Sequence, residues 1–101
     1  MIKSMTKLNL TDLQEFIKNP KVILAFVNET SILSTSTLRI LKELECDCGI
    51  KIGYIDVEEN KECFSKFSLR IIPTIHLYEL GNLATKITLP FTKKDLECLV
   101  R

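Results

Sequence analysis

The chain has 101 residues, 46% of them hydrophobic and 27% charged, with 14 basic residues against 13 acidic ones. That length and apolar content suit one domain, residues 1–101, with a core of its own, and exclude intrinsic disorder. The net charge of +1 leaves no electrostatic footprint for nucleic acid or an anionic membrane, and no apolar run approaches the roughly 18 residues of a transmembrane helix. Residues 1–7 carry charge but no apolar stretch of signal-peptide length. Four cysteines, Cys46, Cys48, Cys63 and Cys98, stand at irregular spacing. A cytoplasmic protein is expected rather than a disulfide scaffold.

Residues 6–9 read as a short strand. Thr11-Asp12-Leu13-Gln14 has the form of a capping box, with Leu10, Leu13, Phe16 and Ile17 on one helical face and Pro20 after the end. The unbroken apolar run 22–27 reads as a strand buried on both faces. A polar stretch, 28–36, precedes a helix marked by Leu38, Leu41 and Leu44, which ends at Gly49. Residues 50–57 form a second central strand. A short helix follows with Cys63, Phe64 and Phe67 inward, and Ile71-Ile72-Pro73-Thr74 breaks the pattern. Strands 74–80 and 83–89 flank Gly81-Asn82, which suits a type II′ hairpin. Thr92-Lys93-Lys94-Asp95 caps a last helix bearing Leu96, Leu99 and Val100. The order β-α-β-α-β-α-β-β-α predicts an α/β fold: a mixed central sheet with helices on both faces.

This order, together with Phe67-Ser68-Leu69-Arg70-Ile71-Ile72-Pro73-Thr74 and the strand Ile75-His76-Leu77-Tyr78-Glu79 after it, resembles the thioredoxin family over nearly the whole chain. The resemblance implies a cis Ile72–Pro73 bond facing the turn after the first central strand. It also implies that the loop's backbone, that of Ile72 above all, binds an extended peptide. Where the family carries Trp-Cys-Gly-Pro-Cys, this chain reads Thr30-Ser31-Ile32-Leu33-Ser34. The family's buried aspartate matches Ala25, its lysine matches Tyr54, and its aromatic neighbours match Val27 and Thr30. Thiol–disulfide exchange needs a thiolate and a second thiol to resolve the mixed disulfide. A serine hydroxyl provides neither, so no catalytic residue is expected at the degenerate positions Ser31 and Ser34.

Other chemistry is thinly represented. Ser31 or Ser34 as a nucleophile needs an oriented base, and the only histidine, His76, lies in a strand. Helix capping is the simpler role for these serines. Cys46 and Cys48 are the remaining candidate redox pair. Four-ligand zinc binding lacks a second paired motif, so no metal and no cofactor are expected. Buried cysteine commonly acts as a small hydrophobe.

The expectation is a redox-inactive module that binds a protein or extended peptide through Ile32, Leu33, Ile71, Ile72, Pro73 and Phe91, with Pro90 alongside. The alternatives are a thiol–disulfide oxidoreductase or redox sensor using Cys46 and Cys48, an active thioredoxin whose two cysteines have been changed to serine, and a homodimer formed through the same apolar cluster.

Overall fold

The computed structural model describes residues 5–100; residues 1–4, part of the stretch read above for a signal segment, lie outside it. Strand β1 (Thr6–Leu8) leads through a 3-10 turn (Leu10–Asp12) into α1 (Leu13–Phe16), followed by β2 (Lys21–Val27), α2 (Ile32–Cys48) and β3 (Lys51–Asp56). Then come α3 (Cys63–Lys66), the hairpin β4 (Thr74–Glu79) and β5 (Asn82–Thr88), and α4 (Lys93–Val100). The five strands form one sheet in the order β1-β3-β2-β4-β5. β3 runs parallel to β1 and β2, and β4 runs antiparallel to β2 and β5.

The apolar run of β2 divides by alternation between two cores. Ile23, Ala25 and Val27 face Leu41 and Leu44 of α2 and Leu96 of α4. Val22, Leu24 and Phe26 face Leu13 and Phe16 of α1 and Cys63 of α3. All six strand residues are buried, as a central strand covered on both faces must be. β3 approaches α1 so closely that a Cβ at Gly53 would lie 2.7 Å from both Leu8 Cδ1 and Phe16 Cζ.

Four local expectations need correction. The first capping box lies two residues earlier than Thr11–Gln14: Asn9 Oδ1 accepts from Thr11 N, and Asp12 Oδ2 accepts from Asn9 N. Helix α2 begins at Ile32, inside the stretch read as polar, because its inward positions there are the buried hydroxyl residues Ser34 and Thr37 rather than leucines. The hairpin loop is Leu80-Gly81, with Glu79 paired to Asn82. Both loop residues have positive φ, 52° and 83°, which is the type I′ pattern rather than II′. Phe64 faces solvent. It sits three residues from Phe67 across a helix of a single turn, and α3 buries only Cys63. The last capping box stands as read, with Asp95 N donating to Thr92 Oγ1 and Thr92 N donating to Asp95 Oδ2.

Candidate functional site

Strand register decides which loops meet. Phe26 pairs with Thr74, Thr74 with Thr88, and Val27 with Asp56. The segment after β2, the turn after β3, the loop before β4 and the segment after β5 therefore emerge at one end of the sheet. That end carries the first turn of α2, the Ile72–Pro73 bond and the Leu89–Pro90 bond, and both of these peptide bonds are cis. The second has no signal in the sequence, since nothing in Leu-Pro-Phe distinguishes it from an ordinary trans bond.

Between β2 and α2 the backbone is held by short polar side chains. Asn28 Oδ1 accepts from Thr30 N and from Thr30 Oγ1. Ser31 occupies the N-cap position in extended backbone, yet its hydroxyl makes no capping bond. Its carbonyl accepts from both Thr35 N and Thr35 Oγ1. Ser34 is fully buried, and its Oγ accepts from Asn28 N at 3.0 Å. No base touches either hydroxyl among the described residues, so neither serine is activated as a nucleophile.

The apolar candidates separate into two groups. Ile32 is 84% exposed, Leu33 58% and Ile71 54%. Ile72 is half-buried against the core on the α1/α3 face. Pro73 is buried, and Phe91 belongs to the core between the sheet and α2/α4. The expectation that Phe91 and Pro73 offer binding side chains is therefore corrected: each packs inward, and of Pro90 and Phe91 only Pro90 is exposed. The Ile72 main chain takes part in no hydrogen bond among the described residues.

Cys46 and Cys48 are both exposed, in the last turn of α2. Residues two apart on a helix point roughly 200° apart, so the helix does not bring these thiols together. Cys98 is exposed on α4, and Cys63 is buried, which pushes its thiol pKa up. Ala25 and Tyr54, read from the sequence as replacing the family's aspartate and lysine, are cross-strand partners in β2 and β3.

Two further features escape a reading of the sequence. Carboxylates of Glu29, Asp56 and Glu59 lie within 4.8 Å of one another. Lys7 Nζ sits 2.5 Å from Glu29 and 3.2 Å from Glu59, and the bonds to Glu29 and then Glu59 raise its pKa. Asp56 accepts from the backbone of Glu29 and Glu58. Lys7 thus offsets one of the three negative charges, and backbone N–H groups satisfy Asp56. The other feature is His76, buried among Phe26, Phe67 and Tyr78. Its pKa is lowered to about 4, by burial first and by Lys86 second. Nothing local in the sequence signals it, since its place opposite Lys86 comes from strand register. No helix among the described residues is long and apolar enough to cross a membrane.

No family model matches the chain, and no curated protein does. Solved structures do. A single-substitution mutant of thioredoxin from Halobacterium salinarum superposes with a TM-score of 0.88 at 19% identity, over 96% of this chain and 88% of the other. Oxidized mitochondrial thioredoxin 3 from Saccharomyces cerevisiae gives 0.83 at 25% identity, over 96% and 93%. A chain from work on the thiol-resolving mechanism of yeast mitochondrial 1-Cys peroxiredoxin via the glutathione and thioredoxin systems gives 0.84 at 25%, over 98% and 95%. With the mixed five-stranded sheet and the helices on both of its faces, these likenesses show that the chain has a thioredoxin-like α/β fold.

Proposed function

We propose that the chain is a redox-inactive thioredoxin-like module that binds an extended segment of a protein partner at the end of the sheet carrying the α2 N-terminus and the Ile72–Pro73 loop. The observation that supports this reading most is the exposure of Ile32, Leu33 and Ile71 in the segments that the strand register sends to that end. Large apolar side chains held in water near a main-chain segment with open hydrogen-bonding groups are what strand addition uses: backbone bonds give affinity and apolar contacts give desolvation. Serine at positions 31 and 34 removes the attacking and resolving thiols, leaving recognition without exchange. With a net charge of +1, association draws little on electrostatic steering.

The test is selection of cysteine-free peptides from a random phage-displayed library on the immobilised chain, followed by replacement of surface residues. Leu33→Asp and Ile71→Asp should each weaken a selected peptide by about 1–3 kcal/mol while circular dichroism stays unchanged. Ile72 is unsuited to this test because it is half-buried against the core. Unaltered affinity in both folded variants would place the binding surface elsewhere.

A further inference from the structure

Away from Ile32 and Leu33, a slot of about 240 Å³ opens between the loop after α3 and the β4–β5 ladder. Its floor is set by strand register. Thr74 pairs with Thr88 and His76 with Lys86, two residues further along, so all four side chains share one face of the sheet. Its wall is the segment from Phe67 to Ile71. That segment is fixed by a Schellman closure of α3, in which Ser68 takes a φ of 53°, Ser68 N donates to Ser65 O and Leu69 N donates to Phe64 O. Phe67, Leu69 and Ile71 make the wall apolar, and Arg70 adds a guanidinium. Among the described residues, no acidic one lines the slot.

One polar atom here has no partner. His76 is 1% exposed, and its Nε2 makes no hydrogen bond. Its Nδ1 lies 3.3 Å from the Tyr78 hydroxyl. A phenol is the better donor of that pair and an imidazole nitrogen the better acceptor, which puts the ring proton on Nε2. A buried N–H without an acceptor keeps its full desolvation penalty, so an acceptor admitted by a shift of the side chains that cover it would stabilise the protein.

We propose that this slot binds a small carboxylate carried on an apolar body, the carboxylate set between Lys86, Arg70 and His76 Nε2–H and the body packed against Phe67, Leu69 and Ile71. The charge of the lining selects an anion, and the apolar wall selects an organic one over a bare inorganic ion. The neutral state of His76 suits it to donate from Nε2 without a second buried charge, and Lys86 provides the countercharge at the mouth. The ligand chemistry has two sources: a free aromatic or branched acid, or the C-terminal carboxylate of a peptide ending in an apolar residue.

The test is NMR titration of the 15N-labelled chain with sodium benzoate, with benzyl alcohol and sodium chloride as controls. Benzoate should shift the His76 ring nitrogens and the amides of residues 68–71 and 88 saturably, with a Kd of order 1 mM. His76→Leu, which fills the site with an apolar side chain, should weaken this about tenfold, and the exposed-site variant Lys86→Ser by roughly threefold or more. A second arm compares acetyl-Leu-Phe with a free and with an amidated C-terminus. Tighter binding of the acid than of benzoate assigns the slot to peptide ends, and the reverse assigns it to free acids. No saturation by roughly 50 mM benzoate, equal shifts from benzyl alcohol, or unchanged affinity in folded Lys86→Ser would overturn the proposal. Because Lys86 is exposed, that variant stays informative even if His76→Leu fails to fold.

Discussion

The backbone N–H of Asn28 donates to the buried hydroxyl of Ser34 across 3.0 Å, tying the end of β2 to the first turn of α2. Ser34, read from the sequence as standing where the family has its second motif cysteine, thus has a structural occupation. Ser34→Ala should leave this N–H unpaired and cost about 1–3 kcal/mol in urea unfolding. A loss well under that would mean water reaches Asn28 N once the hydroxyl is gone.

Restoring both cysteines, Ser31→Cys with Ser34→Cys, should give only weak insulin-disulfide reduction with dithiothreitol. Ala25 and Tyr54, partners across β2 and β3, offer no carboxylate or ammonium to move the resolving thiol's proton. The unmodified chain should not accelerate the reaction at all. Turnover by the unmodified chain that disappears in Cys46→Ala would instead establish the Cys46/Cys48 reading.

Thiol labelling should be uneven. Cys46, Cys48 and Cys98 are exposed, whereas Cys63 is fully buried and its pKa is raised by that burial. With 5,5′-dithiobis(2-nitrobenzoate), the three exposed thiols should react first, and Cys63 only at the rate of opening or unfolding. Prompt reaction of all four would contradict the packing of α3 on β2.

Packing and turn geometry give two stability predictions of opposite sign. Gly53→Ala places a methyl 2.7 Å from Leu8 and Phe16 side-chain atoms and should destabilise by about 1–3 kcal/mol. Leu80→Asn should stabilise by roughly 0.5–1 kcal/mol, because leucine at φ 52° is strained in a type I′ loop that asparagine fits. Urea midpoints of the two variants check both.

His76 makes stability depend on pH. Its folded pKa of about 4 lies below its ordinary value of 6.5, with Lys86 opposite, Tyr78 on its own strand and Arg70 across the slot. Between these values the unfolded chain binds the extra proton, so stability rises with pH. This contribution is complete above about 6.5 and is lost as pH falls towards 4. It should amount to about 1–3 kcal/mol, the lower part of the range reflecting solvent screening. The measurement is the difference in unfolding free energy between the unmodified chain and His76→Leu at several pH values. A difference that does not change with pH would show that His76 titrates normally.

Much of the architecture is legible in the sequence because strand periods and caps are local. The run from Val22 to Val27, Gly49 and the Thr92–Asp95 box all act through near neighbours in the chain. What the sequence hides depends on distant contacts. Phe91 and Pro73 look like surface candidates because nothing local says that Phe91 packs between the sheet and α2/α4 or that Pro73 turns inward. The start of α2 is hidden because buried Ser34 and Thr37 look polar in a periodicity count. The slot needs the register pairing His76 with Lys86, which only the folded sheet provides.

The central claim is that recognition lies at the α2 end of the sheet. Its most direct test is chemical-shift mapping of a selected cysteine-free peptide on the 15N- and methyl-labelled chain under reducing conditions. The account predicts saturable shifts at Ile32, Leu33 and Ile71 and at the backbone amide of Ile72, with the exposed Leu80 and Leu83 of the β4–β5 hairpin unmoved. Shifts confined to that hairpin, with the α2 N-terminus silent, would contradict it.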